Sequence, residues 1–356
     1  MSVNDAVLNN RIHTGTKLIR FEATLQGGLK SKLNLLRDEF IKLLKDIDPT
    51  SPSRFIWQQQ RLQTLLEEIN KTADSAYSEI SSYIDTNMKD LAKVSIDRAV
   101  SDINKALGVD ILTSVGLKKD LTFDFVRSIL IQGSPLSQFL DAQKGSVVNK
   151  FSNVVRQDVQ DGASLSDMVR QVRGAKENNY EDGIFASTYK QGAALARTAV
   201  QSVNNQSSLY LYEQNTELIG SIQWVSTLDT RTSDICMALD GLEWSLPDYE
   251  PIGHDQTFPG PTAHVNCRST QVPVLNKAKD IPAKVLKGLS EGTRASMDGQ
   301  VAESQTYDSW LKTQDVSVQK EVLGQGRWEL WNNGDISTRD LINQNNRPIS
   351  LKDLSN

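Results

Sequence analysis

The stretch from residue 224 to residue 275 places the strongest constraint on how this chain can fold. It contains both cysteines of the protein and two of its three histidines, at Cys236, His254, His264 and Cys267. Two strand-like segments flank a loop that contains four prolines and an Asp-Gly turn signal. Such a loop has little local structure, so packing alone would order it at a high entropic cost. We therefore expect a metal ion or a covalent cross-link to tie its ends together.

Three arrangements suit these four residues. Two thiolates and two imidazoles can hold one Zn²⁺ in tetrahedral coordination, whereas the cysteines alone can form a disulfide. The third arrangement is a pair of buried thiols beside hydrogen-bonded loop histidines. His264-x-x-Cys267 is a compact pair that can chelate a metal from one turn, although the other gaps are long and irregular. Two cysteines in 356 residues indicate folding in a reducing compartment, which favours the metal over the disulfide.

The pattern of apolar residues predicts an α+β protein that is mainly α. Apolar residues recur at steps of three and four over residues 29–47, 54–83 and 86–107, which is typical of amphipathic helices. Residues 222–225 and 270–275 are apolar and β-branched, so we expect them to form short strands. The predicted fold is a helical N-terminal region followed by a compact C-terminal domain, with a small β-element and a loop tied by cysteine and histidine.

Charge and hydropathy argue against several classes of function. The formal net charge of −5 argues against non-specific DNA binding as the main activity, because such binding neutralises phosphates with Lys and Arg. No stretch approaches the roughly 20 apolar residues that a membrane span requires. The N-terminus lacks a charged start followed by an apolar segment, so no secretory signal is evident. We therefore expect a protein with no membrane span.

Several blocks of the sequence, taken in order, resemble one known family. The blocks are Trp224-Val225-Ser226-Thr227-Leu228-Asp229-Thr230-Arg231-Thr232, Cys236, Leu239-Asp240-Gly241, Pro261, His264-x-Asn266-Cys267-Arg268-Ser269 and Val272-Pro273-Val274. They resemble the phage head morphogenesis family, the Mu F-like minor head proteins of tailed bacteriophages. The resemblance extends upstream to Ala196-Arg197-Thr198 and downstream to Tyr307-x-x-Trp310, so it covers roughly the last half of the chain.

The resemblance implies a structural protein of the virion. The expected role is that of a minor capsid protein associated with the portal, acting in head assembly and in the handling or delivery of packaged DNA. Its expected partners are the portal protein, the major capsid or scaffolding protein, and packaged double-stranded DNA. Its expected location is the head interior or portal vertex of the virion, and the host cytoplasm during assembly.

The chain is expected to divide into three parts. Residues 1–115 are predicted to form a helical N-terminal interaction region, residues 116–290 the head morphogenesis core domain, and residues 291–356 a C-terminal tail segment. Near the second boundary we expect a short helix over residues 281–289. In the tail we expect one helix over residues 307–323.

Two departures from the family limit the metal site. Many members carry a second cysteine directly after the Arg-Thr pair, where this chain has Ser233. Many also end the last block Cys-Arg-Cys, where this chain has Ser269. A four-cysteine site is therefore impossible here. If a structural zinc ion binds, the resemblance implies that His254 joins His264 and the two cysteines as a ligand.

Six further residues of the family blocks are predicted to hold the fold: Arg197, Asp229, Arg231, Asp240, Gly241 and Arg268. The arginine-threonine pair at Arg197 recurs in the family, so we expect this arginine to form a buried ion pair with Asp229 or Asp240. Asp229 can cap the following short helix, and Arg231 can bind a carboxylate through two hydrogen bonds. Asp240 and Gly241 form the turn signal of the loop.

Two catalytic interpretations compete with the structural one. Cys236 or Cys267 could act as a nucleophile with His264 as its base. Alternatively, His254, His264 and Asp229 could surround a divalent ion in a metal-dependent nuclease acting on phage or host DNA. Because the same residues also explain a tied loop, we expect no catalysis and keep the nuclease as the alternative function.

Overall fold

The computed structural model describes residues 3–45, 56–113, 123–131, 134–161, 163–276, 293–302 and 304–355. The chain forms two compact units, each built from separate stretches of sequence. The first unit comprises Met1–Arg20, Lys89–Gln132 and Val200–Asn356, and the second comprises Phe21–Met88 and Gly133–Ala199. The division of the chain by function, made from the sequence, remains a prediction.

Long helices account for most of the described residues up to position 213. Their bounds are α1 (Val3–Lys45), α2 (Ile56–Leu107), α3 (Phe123–Ser128), α4 (Leu136–Asp161), α5 (Leu165–Arg173) and α6 (Ile184–Glu213), with short strands β1 (Leu130–Ile131) and β2 (Ser134–Pro135) and a 3₁₀ turn at Lys176–Asn178. The two helices predicted over residues 54–83 and 86–107 are one helix, because α2 contains neither glycine nor proline. Within the described ranges, no helix is both long and apolar enough to cross a bilayer.

Leucine and aromatic side chains form the core of the second unit. On α1, a stripe of almost fully buried residues recurs at steps of three and four: Leu25, Leu29, Leu33, Leu36 and Phe40. The Phe40 ring meets Phe151 of α4 edge-on, with 4.8 Å between the centroids, and Phe185 of α6 at 5.7 Å. The periodicity predicted for the N-terminal region therefore corresponds to a packed helix face.

A four-stranded antiparallel sheet lies in the first unit, in the strand order β5-β4-β3-β6. Its strands are β3 (Ile219–Val225), β4 (Glu243–Ser245), β5 (Pro251–Ile252) and β6 (Thr270–Leu275). The strands predicted over residues 222–225 and 270–275 are β3 and β6, and they pair with Ile222 opposite Pro273. One face packs into an apolar core that includes Ile103, Leu211, Tyr212, Ile222, Trp224, Cys236, Trp244, Cys267 and Val272.

The C-terminal segment packs within the first unit around a second apolar core. Its elements are β7 (Thr293–Ser296), β8 (Gly299–Ala302), α8 (Tyr307–Lys312), α9 (Val316–Leu323), α10 (Gln325–Asn333), a 3₁₀ turn at Thr338–Leu341, and α11 (Leu351–Leu354). The helix predicted over residues 307–323 is two helices, because Asp315 begins α9 as its N-cap residue. The buried core includes Leu228, Met237, Tyr307, Trp310, Leu311, Leu323, Trp331 and Leu341. The helix predicted over residues 281–289 lies outside the described residues.

Candidate metal centre

Helix α7 (Asp234–Leu239) carries Cys236 into the core behind the sheet. Ser233 precedes the helix with an extended backbone, and its Oγ accepts the N–H of Cys236 at 3.2 Å, as an N-cap residue does. The last four residues of the helix are buried. The Cys236 residue is 2% exposed, so its thiol lies on the inner side of α7.

A tight turn ahead of β6 brings His264 and Cys267 together. The Cys267 N–H donates to the His264 carbonyl at 3.2 Å. Asn266 adopts a φ of +64°, in the left-handed region that asparagine tolerates better than most residues. Cys267 is fully buried, whereas His264 is partly exposed. The pair that the sequence indicated as a chelating unit thus lies in one turn.

Polar side chains of α6 hold this turn in place. Asn205 Nδ2 donates to the carbonyls of Pro261 at 2.7 Å and Ser269 at 3.0 Å. Gln201 Nε2 donates to the same Ser269 carbonyl at 2.8 Å. Sequence reasoning missed Asn205 and Gln201, because amide side chains on a helix face have no distinctive spacing.

The sulfurs of Cys236 and Cys267 and a ring nitrogen of His264 form a compact cluster. These ligand atoms all lie within 4.8 Å of one another. His264 Nε2 is 3.0 Å from Cys236 Sγ, and the two sulfurs are 3.7 Å apart. Ser233 Oγ borders the cluster, 2.7 Å from His264 Nε2. Both cysteines are free thiols, since a disulfide places its sulfurs about 2.05 Å apart.

Burial and hydrogen bonding separate the pKa values of the two thiols. Burial by itself raises the pKa of Cys236, but hydrogen bonds with Cys267, Ser269 and Ser233 outweigh it and lower that pKa. The hydrogen bond to Cys236 and complete burial raise the pKa of Cys267 well above its ordinary value. Of the two thiols, Cys236 is therefore the more acidic one, and Cys267 keeps its proton unless a positive charge compensates.

The structure does not bring His254 into this cluster. The ring Nε2 of His254 hydrogen-bonds the Glu243 carbonyl at 2.8 Å, and its Nδ1 accepts the Gln256 N–H at 3.2 Å. Its ring packs edge-on against Trp244. The expected convergence of four side chains is therefore a convergence of three. The prediction rested on the types of residue in the loop. It could not take into account that backbone groups of Glu243 and Gln256 turn the His254 ring away from the cluster.

The structure also corrects the expectation for Arg197. The Nε of Arg197 donates to Glu22 of α1 at 2.9 Å, and the arginine side chain is 37% exposed. A buried pair with Asp229 or Asp240 was expected. These two aspartates instead receive arginines from later in the sequence.

Asp229 and Arg268 form a two-pronged ion pair next to the cluster. Arg268 Nη1 and Nη2 donate to Oδ2 and Oδ1 of Asp229 at 2.5 and 2.7 Å. Asp229 also accepts the Arg231 N–H at 3.0 Å and the Thr232 hydroxyl at 3.1 Å, so it organises the turn ahead of α7. Burial raises the pKa of Asp229, but the hydrogen bonds from these residues outweigh it, and the net pKa is lowered. The Arg231 side chain is exposed, so Arg268 takes the bidentate role predicted for Arg231.

Asp240 joins the end of α7 to the C-terminal segment. Its carboxylate accepts the Ser226 N–H at 2.7 Å, the Tyr307 N–H at 2.7 Å, and Arg294 Nη1 and Nη2 at 3.0 and 2.8 Å. The Asp240 and Arg294 side chains are 1% and 5% exposed. Gly241 has a φ of +81°, as the predicted turn requires of a glycine. Sequence reasoning missed Arg294, which no motif marks.

The burial of the cluster does not suit attack on a substrate. Cys236 and Cys267 are 2% and 0% exposed, whereas a nucleophilic thiol must be reachable by its substrate. A cleft of about 770 Å³ in the first unit is lined by His254, Arg339 and other residues, and none of the cluster residues lines it. Nucleophilic catalysis by either thiol therefore has no support in the geometry.

The geometry does not assemble the nuclease site either. Both carboxylate oxygens of Asp229 contact Arg268, and both ring nitrogens of His254 contact the backbone. A divalent ion bound by His254, His264 and Asp229 would need His254 and Asp229 to exchange these partners. The residues that the structure does bring together are Cys236, His264 and Cys267.

These features define a class of protein: a mainly helical α+β chain in which a small antiparallel sheet supports a long loop closed by a Cys/His cluster. Residues 149–272 match the family described as phage Mu protein F like protein. This segment is thus similar to the phage head morphogenesis family that the sequence motifs resemble. The match covers about a third of the chain, from α4 to β6, and includes the three cluster residues. No curated protein and no solved structure matches the chain.

Proposed function

We propose that this protein is a minor capsid protein of a tailed phage, present in few copies at the portal vertex or in the head interior. It acts in head assembly and in the handling or delivery of packaged DNA. The observation that carries the proposal is the family match over residues 149–272, which coincides with the sheet, α7 and the Cys/His cluster. It assembles in the host cytoplasm and becomes part of the virion.

The net charge of the chain favours protein partners over direct binding to DNA. A net charge of −5 repels the phosphate backbone, so contact with packaged double-stranded DNA is local or is made together with another protein. The portal protein and the major capsid or scaffolding protein are the partners that fit this role. A structural role also fits a centre whose two sulfurs are buried and which does not line the cleft of about 770 Å³ in the first unit.

Mass spectrometry of purified particles tests the proposal. Peptides of this chain are quantified against those of the portal protein and the major capsid protein from the same particles. We expect a copy number far below that of the major capsid protein and of the same order as that of the portal protein. Cross-linking in intact particles should then join this chain to the portal protein. Absence from particles, or abundance equal to that of the major capsid protein, would overturn the proposal.

The same preparation tests the alternative function. Purified protein is incubated with double-stranded DNA and Mg²⁺ or Mn²⁺, and the variant His264→Ala is assayed in parallel. We expect no cleavage by either protein, since the two thiols are buried and the cluster does not line the cleft of about 770 Å³ in the first unit. Metal-dependent cleavage that is lost in His264→Ala would replace the structural role by the nuclease.

A further inference from the structure

We propose that Cys236, His264 and Cys267 bind one Zn²⁺ ion, with a water held by Ser233 as the fourth ligand. This site is local, so the inference does not rest on the role in the phage head. The two sulfurs and the imidazole come from α7 and from the turn ahead of β6, which share no backbone hydrogen-bond ladder. The ion would therefore tie two elements that otherwise meet only through side chains.

The distance between the sulfurs suits a metal better than a disulfide. Two thiolates at about 2.3 Å from a tetrahedral zinc ion lie about 3.8 Å from each other. The Sγ atoms of Cys236 and Cys267 are 3.7 Å apart, so an ion can enter between them without moving the helix or the turn. Disulfide formation would require the same sulfurs to approach to about 2.05 Å.

The imidazole of His264 is held in the form that binds a metal. Its Nδ1 lies 2.8 Å from the Val265 carbonyl, which can only accept, so Nδ1 carries the proton and Nε2 carries the lone pair. Zinc-bound histidines usually donate their other N–H in this way, and this fixes the ring. Nε2 is 3.0 Å from Cys236 Sγ, so coordination moves the ring outward by about 0.5 Å to reach the usual N–S separation around zinc.

Ser233 lies beside the place of the missing fourth ligand. Its Oγ is 2.7 Å from His264 Nε2 and accepts the Cys236 N–H at 3.2 Å, so it faces the same space as the three ligand atoms. Serine hydroxyls are not among the usual ligands of zinc. A water molecule hydrogen-bonded to Ser233 therefore completes the tetrahedron, and His254 is not needed.

The charge of the bound site also fits its surroundings. Binding replaces the two thiol protons of Cys236 and Cys267 by one Zn²⁺, and both protons leave to solvent. The ion and two thiolates then carry no net charge, which suits a cluster set in an apolar core with Trp224 and Val272. An unpaired thiolate in the same position would be costly.

Metal analysis of the full chain tests the three ligands. Protein purified under reducing conditions and loaded with Zn²⁺ should retain one equivalent after desalting, and Co²⁺ in its place should give thiolate charge-transfer and tetrahedral absorption bands. Cys236→Ser and Cys267→Ser should weaken zinc binding at least 100-fold, and His264→Ala at least 10-fold. His254→Ala is the matched control from the same loop, and it should keep the wild-type affinity and spectrum.

Ser233→Cys provides a test that does not depend on damaged variants. A thiolate at this position would complete a Cys₃His site, so the affinity for Zn²⁺ should rise at least 10-fold and the Co²⁺ charge-transfer band should grow. Ser233→Ala should still bind one ion, because it leaves the three ligands in place.

Several results would overturn the proposal. The first is reduced wild-type protein that retains no zinc while Ser233→Cys gains no affinity. The second is equal zinc retention by both cysteine variants, and the third is loss of the ion in His254→Ala. An intact mass lower by two hydrogens after purification without reductant would show a disulfide instead.

Discussion

Two clusters of side chains hold helix α7, and they differ in chemistry and in reach. The first joins Cys236 of the helix to His264 and Cys267 through sulfur and imidazole, over 31 residues of sequence. The second follows the helix at Asp240 and consists of a buried ion pair with Arg294 and a hydrogen bond from the Tyr307 N–H, 54 and 67 residues further on. One cluster closes a loop, and the other attaches the C-terminal segment.

The comparison of the two clusters shows which side-chain interactions can be predicted from a sequence. Cysteine and histidine are rare in this chain, so their confinement to one loop is visible without a structure. Aspartate and arginine are common, so nothing in the sequence indicates that Asp240 pairs with Arg294, 54 residues further on. Yet protein groups alone pair both carboxylate oxygens of Asp240 in the second cluster, whereas the first leaves two thiols and a ring nitrogen for an ion to join. The second cluster, with Asp240 and Arg294, should therefore contribute more to the stability of the fold.

The largest effect is expected from breaking the buried ion pair. Asp240→Ala leaves the Arg294 guanidinium buried without its carboxylate, and we expect a loss of about 3 to 5 kcal/mol in the free energy of unfolding. Chemical denaturation measures the loss. The double variant Asp240→Ala/Arg294→Met should be more stable than Asp240→Ala, because it removes the unpaired charge as well.

A matched control is available in the same region of the chain. Arg231→Ala removes an exposed arginine and should change the free energy of unfolding by less than about 0.5 kcal/mol. If Asp240→Ala costs no more than this control, the buried pair does not hold the C-terminal segment, and the ranking of the two clusters is lost.

The second effect concerns the cysteine cluster and depends on zinc. Free Zn²⁺ at 100 times its dissociation constant should add about 2.7 kcal/mol to the free energy of unfolding of the wild-type protein. Differential scanning calorimetry should show the melting midpoint rising by several degrees with zinc and falling back with a chelator. Cys267→Ser should melt lower than the zinc-loaded wild type and respond to neither reagent. A wild-type melt that a chelator leaves unchanged would contradict a stabilising metal.

Local patterns in the sequence predicted the elements that carry the site but not how their side chains pair. Strands β3 and β6, the turn at Gly241 and the nearness of Cys236 to the His264-Cys267 pair follow from residue type and spacing. The direction of the His254 ring does not, because backbone groups of Glu243 and Gln256 set it. The pairing of Asp229 with Arg268 instead of Arg231 does not follow either. Both arginines lie in blocks that resemble the family, and only the folded turn decides which one faces Asp229.

The smallest effect is expected at the ion pair of Asp229 and Arg268, which joins the turn before α7 to the residue after Cys267. The pKa of Asp229 is lowered in the folded protein, so folding favours its ionised carboxylate. The stabilisation is therefore fully present above the unfolded pKa of about 3.9, and it is lost as the pH falls below that value through the folded pKa. We expect Asp229→Asn to lower the free energy of unfolding by about 1 to 2 kcal/mol at pH 7, since the pair is only partly buried.

Denaturation from pH 7 to pH 3 measures the difference in the free energy of unfolding between wild type and Asp229→Asn, which should narrow below about pH 4. Asp248→Asn, at an exposed carboxylate, is the matched control. A gap of constant size over this range would mean that the Asp229 side chain acts through its shape in the turn and not through its charge.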